Sequence, residues 1–168
     1  MEFLMLRTTA TLIALSMASA TYAADFKVKL AGGWNGKTVP AGQHCKLHGG
    51  KGKTPPMVIS GLPEGTEWVL VEYNDRDYKP LSKRGGHGSI GYPVKGSSAK
   101  LPAVKANSSK LAGGAFVHKR AKSKGKYASK GYLPPCSGGA GNRYFADVHA
   151  MNGKKKKLGS ARVELGKY

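Results

Sequence analysis

Polar and apolar positions alternate over residues 24–30, where Phe26, Val28 and Leu30 are interleaved with Lys27 and Lys29. A period of two is that of a half-buried strand. Glycines and Pro40 then interrupt the chain up to Gly52. A short strand follows at 56–59 and a turn at 60–66. The strongest strand signal is 67–75, whose Trp68, Val69, Leu70 and Val71 are apolar on both faces. Such a run belongs in the middle of a sheet. Further strands are expected at 88–94, 143–151 and 160–168, the last alternating Ala161, Val163 and Leu165 with Arg162 and Glu164. No sustained helical period follows residue 23. The expected class is therefore all-β, an antiparallel sandwich with long loops and little helix.

The pattern before residue 24 is of another kind. A small-residue apolar run over 8–20 follows Arg7 and ends in Ala-Thr-Tyr-Ala23. It is shorter than the ~20 apolar residues of a membrane span. It reads as a secretory signal, residues 1–23, with 24–168 as one exported domain, periplasmic or secreted. Cys45 and Cys136 both lie in that domain. An even count and an oxidising compartment favour their pairing over free thiols.

Charge changes the picture next. The 168-residue chain carries 28 Lys and Arg against 9 Asp and Glu, a formal net charge of +19. The leader holds one of each sign, Arg7 and Glu2, so the domain keeps the whole excess. This favours anionic partners: phosphate, lipid head groups, nucleic acid or acidic glycans. The densest runs, at 118–126 and 154–157, sit among Gly and Ser and read as solvated loops. They lack the interleaved aromatics of specific nucleic-acid readers.

Two motifs fall away. The glycine-lysine stretch at 49–54 is not a phosphate-cradling P-loop, because Leu47 stands where the first glycine is needed and no helix pattern follows. His44, Cys45 and His48 have ligand-like spacing, yet a metal needs three or four converging ligands, and pairing of Cys45 removes its thiolate. No metal or cofactor is expected. Asp75 and Asp77, two apart at the end of the best strand, share a face if the backbone stays extended, and so mark the mouth of a site.

Four blocks, taken in order, resemble the phosphatidylethanolamine-binding protein family, which includes the Raf-kinase inhibitor proteins. They are TPPMVISGLPEGT (54–66), VEYNDRD (71–77) with Gly86-His87, YLPPCSGGAGNRY (132–144) and VHAM (148–151). The resemblance implies a large central antiparallel sheet packed on a smaller one, with a small anion pocket at one end. By position, Asp75 and Asp77 match the family's Asp-Pro-Asp and His87 its pocket histidine. Residues 133–137 match its Gly-Pro-Cys-Pro-Pro loop, and Asn142, Arg143 and Tyr144 its His-Arg-Tyr. Arg76, Gly88, the permuted Pro/Cys order and Asn142 depart from that pattern.

On this reading Leu133, Pro134 and Pro135 begin a stiff wall with backbone N–H groups aimed inward, Asp75 orients His87 or faces the ammonium of an ethanolamine head group, and Asn142 and Tyr144 add donors. Asp77 pairs with Arg143 as a structural element. No activated nucleophile is visible, so the protein is read as a non-catalytic binder of phosphate-bearing head groups. The alternatives are a polycationic binder of anionic lipid, lipopolysaccharide or nucleic acid, and an inhibitor of an unidentified protein partner such as a kinase or protease.

Overall fold

The computed structural model describes residues 26–168, and the expected secretory signal lies outside them. Eight strands form two antiparallel sheets in this part of the chain. The smaller sheet has the order β1 (Lys27–Leu30), β2 (Met57–Ser60), β5 (Ser98–Leu101). The larger has the order β6-β4-β3-β7-β8, built from β3 (Trp68–Asp75), β4 (Ser89–Pro93), β6 (Phe116–Lys119), β7 (Arg143–Met151) and β8 (Lys157–Lys167). Helix is confined to three single 3-10 turns. The all-β sandwich and its large and small sheets are as expected.

β3 is central, as its doubly apolar sequence required. Val69, Val71 and Tyr73 are buried on one face, and Leu70 and Asn74 on the other. The inward face meets Met57, Ile59 and Leu101 of the small sheet in one core that also holds Ile90, Tyr92, Val148 and Leu165. Fully burying one such aliphatic side chain contributes about 1.5–3 kcal/mol.

Two strands escaped the periodicity. β5 is Ser-Ala-Lys-Leu, with only Ala99 and Leu101 turned toward the core. β6 carries His118 and Lys119, so the first lysine run begins on a sheet edge and not in a loop. The second run also enters a strand, since Lys157 opens β8. Lys154 to Lys156 do lie in the β7–β8 turn, where Asn152 Oδ1 accepts from the Lys156 amide at 2.8 Å. β8 is the outer strand; its pairing with β7 slips at Tyr144/Phe145 and at Ala150/Met151. Residues 37–39 cover its far end through Val39 N–H to Lys167 O (3.0 Å) and Lys167 N–H to Lys37 O (3.0 Å).

Cys45 and Cys136 are disulfide-bonded across a sequence separation of 91. The bridge sits in a second small core with Ala121 and Leu133. Constraining so long a loop in the unfolded chain stabilises by about 4–5 kcal/mol in the chain-entropy account. The Cys45→Ala/Cys136→Ala variant should therefore unfold at markedly lower denaturant, by roughly that free energy. An unchanged midpoint in guanidinium titration would contradict this.

Candidate functional site

The β3–β7 register places Asp75 opposite Tyr144 where both strands end. Beyond that edge the chain turns at once: the amides of Asp77 and Tyr78 donate to Asp75 Oδ1 at 2.9 and 3.1 Å. Asn142 donates to Asp75 Oδ2 at 2.8 Å. Three donors thus hold one buried carboxylate. Asp77 does not continue the strand and does not share the face of Asp75. It is exposed, and its carboxylate takes the Arg143 amide (2.7 Å) and the Arg143 guanidinium. That guanidinium holds the Asp77 carboxyl down to about 2. The structural pairing of Asp77 with Arg143 is found, but Asp77 does not line the cavity described below.

His87 is positioned by backbone on two sides. Its N–H donates to Tyr73 O at 2.9 Å, extending the β3–β4 ladder, and Leu133 N–H donates to His87 O at 2.8 Å. The ring then returns the contact, with Nδ1 2.9 Å from Leu133 O. Since a carbonyl can only accept, Nδ1 carries the proton. The orienting group is therefore the Leu133 carbonyl and not the Asp75 carboxylate, whose oxygens are taken up by Asp77, Tyr78 and Asn142. His87 Nε2 is buried and has no partner. Burial pushes the imidazole below its ordinary value, against the opposing pull of the Leu133 carbonyl, the Asp75 carboxylate and the Pro134 carbonyl. The ring of Tyr144 meets it edge-on at 5.3 Å.

Gly88, in place of the family's aromatic, has a local cause. At φ 101° it lets residues 131–132 approach so closely that a Cβ would lie 2.6 Å from Gly131 O. The same approach brings Ala121 N–H to Gly131 O (2.9 Å) and Lys122 N–H to Gly86 O (2.9 Å). The 118–126 lysine run is thereby drawn to the site.

These segments enclose a cavity of about 650 Å³ lined by Asp75, His87, Leu133, Asn142 and Tyr144 among the expected residues. Pro134 and Pro135 are not in its wall. Pro134 faces a different concavity, and Pro135 O accepts from the Cys45 amide at 2.9 Å. Nor does the 133–136 stretch present inward amides. Leu133 N–H is bonded to His87 O, the prolines have none, and Cys136 N–H donates to the Tyr144 hydroxyl at 3.1 Å. Side chains with donors also line the cavity: Tyr144, Lys122 and Lys124.

Tyr144, accepting from Cys136, keeps its own proton; burial, with the Asp75 carboxylate nearby, pushes its phenol up to about 12. Lys122 and Lys124 stand at the rim, with Tyr78 and Tyr127 supplying aromatic surface. Lys122 and Lys124 lie in an exposed loop, as their sequence setting suggests, and neither tyrosine belongs to a block of the resemblance. The usable signal was Tyr127 directly after the lysine run.

Searches against protein-family models and curated proteins return no match. Solved structures do match. One is YbcL of E. coli, described as a member of the mammalian PEBP family: 21% identity, TM-score 0.56, covering 86% of this chain and 98% of that one. Another is a putative phosphatidylethanolamine-binding protein homologue, CT736, of Chlamydia trachomatis: 19% identity, TM-score 0.52, covering 88% of this chain and 98% of that one. The fold implied by the sequence resemblance is thus the fold found.

A histidine whose folded pKa is depressed opposes folding once the unfolded ring protonates. Stability contributed by neutral His87 should be complete above about pH 6.5 and decline as pH falls below it. Replacing His87 by Gln should flatten the melting temperature between pH 7.5 and 5 relative to the parent. An equally steep decline in the variant would show that other groups carry it.

Proposed function

We propose that this protein is an exported, non-catalytic member of the phosphatidylethanolamine-binding protein family that seats a phosphate-bearing small molecule or lipid head group in the His87 cavity. The observation that carries the reading is the unpartnered, buried Nε2 of His87. A buried polar atom without a partner costs on the order of 1–3 kcal/mol, so its retention calls for a ligand that satisfies it.

With Nδ1 committed to Leu133 O, the neutral ring offers Nε2 as an acceptor. It can take the P–OH proton of a phosphate monoanion, or gain a proton and donate to the dianion. Either way the bound state holds one proton between imidazole and phosphate. Tyr144 has a hydroxyl proton to give, and Lys122 and Lys124 add positive charge at the rim. Asp75, fully paired yet within the wall, suits the ammonium end of a phosphoethanolamine-like ligand rather than a second anion.

The non-catalytic reading is supported by the engagement of the serines and the cysteine of this wall. The Ser123 hydroxyl donates to Tyr127 O at 2.7 Å, Ser137 donates to Tyr168 O, and Cys136 is held in the disulfide. The same disulfide supports an oxidising, non-cytoplasmic location, which accords with the periplasmic or secreted reading of residues 1–23. A second reading, surface attachment to anionic lipid or lipopolysaccharide, is favoured by the charge excess and requires binding that collapses with salt and ignores His87.

Phosphoethanolamine should raise the melting temperature of the parent protein and leave His87→Ala unmoved, while Asp77→Asn keeps the shift. A full shift in His87→Ala would overturn the assignment of the site.

A further inference from the structure

A second concavity, of about 820 Å³, lies on the other side of the Leu133–Pro135 wall, where Pro134 forms part of its lining. It is bounded by the 46–53 loop and the 103–112 segment, and five lysines surround it: Lys46, Lys51, Lys53, Lys105 and Lys110. No carboxylate is among its lining residues. The ion pairs of Arg76, Arg143, His149 and Arg162 engage Glu164, Asp77, Glu72 and Asp147, and none of these involves a lysine of this cleft.

The arrangement holds an electrostatic conflict. Lys53 and Lys105 are partners in an isolated antiparallel bridge. Partners across such a bridge project to the same side, and like charges directly opposite are destabilising. The neighbouring rungs fix the bridge: Thr54 N–H donates to Val104 O at 3.1 Å, and Val104 N–H to Thr54 Oγ1 at 2.8 Å. The two lysine side chains therefore leave the bridge on the same side, where a bound polyanion would offset the repulsion between them.

The glycine loop does not act through its amides. Gly49, Gly50, Lys51 and Gly52 N–H groups donate to Lys46, Cys45, Gly42 and His44 carbonyls, and Lys53 N–H to Gln43 Oε1. What remains is a trough of point charges over a floor of Ala103, Val104 and Pro134, with no aromatic side chain in its lining.

We infer that this cleft binds a segment of a linear acidic polysaccharide, sulfated or uronate-bearing. The absent aromatics disfavour single-stranded nucleic acid, whose bases need stacking partners. The concave form suits a narrow chain better than a flat membrane or a wide duplex. The inference does not rest on the phosphate cavity, because the two hollows have separate lining residues.

The test titrates the purified protein at physiological salt with a heparin-derived oligosaccharide and a polyuronate oligomer, beside a DNA duplex and phosphatidylglycerol vesicles. Two variants carry the same change in net charge: Lys51→Glu/Lys53→Glu/Lys105→Glu in the cleft and Lys154→Glu/Lys156→Glu/Lys157→Glu at the β7–β8 turn. The cleft variant should lose affinity for the oligosaccharides about tenfold or more, and the turn variant less than about twofold. Lys53→Glu alone, which turns the bridge repulsion into attraction, should melt above the parent at low salt and lose the difference at high salt.

Equal losses in the two triple variants would reduce the binding to bulk charge and overturn the proposal. So would tighter cleft-dependent binding of the duplex or the vesicles, or a Lys53→Glu protein that melts no higher at low salt. Retention of oligosaccharide binding by His87→Ala is expected; its loss would merge the two hollows into one site and refute their independence.

Discussion

The contact on which the rest depends is the reciprocal pairing of His87 with Leu133. Leu133 N–H donates to His87 O at 2.8 Å, and the imidazole Nδ1 stands 2.9 Å from Leu133 O. This joins the end of the central sheet to the loop clamped by the disulfide. It decides the tautomer, and so the role of the remaining ring nitrogen. It also requires a narrow approach at Gly88, which no residue with a side chain tolerates without moving the Gly131 carbonyl. Loop position, ring orientation and glycine are consequences of one geometry.

The electrostatics around that contact are divided. Carboxylates are few, and those near the site are satisfied within the protein: Asp75 by two amides and Asn142, Asp77 by Arg143. Positive charge is supplied by lysines without carboxylate partners, at the rim of the cavity and around the second cleft. Anions are therefore attracted over much of the surface, and under the proposed function discrimination among them falls to the buried atoms around His87. On this view affinity and selectivity reside in different residues.

Much of the architecture was legible because β3 announces itself. Eight consecutive residues with apolar side chains on both faces could only be central, and the alternation of β1 and β8 marked half-buried strands. β5 and β6 were not legible, since four-residue strands bearing Ser, Lys and His satisfy their backbones by pairing with neighbours that one-dimensional periodicity cannot display. At the site, the residue types were readable and the couplings were not. Asp75 and Asp77 are two apart in sequence, yet an Asx turn at Asp75 sends their side chains to different surroundings. Pro134 and Pro135 follow Leu133 directly, yet neither lines the hollow they were expected to line. Lys122 entered through a long-range pairing with Gly86, for which local sequence holds no signal.

The outer strand β8 has a further consequence. Eleven residues of edge backbone would ordinarily recruit a matching strand from another molecule. Here two slips in register bend the ribbon, residues 37–39 sheathe its far end, and lysines stand at both termini. The sandwich can thus expose a long border while resisting fibrillar self-association, a hazard that grows with every residue of unpaired edge.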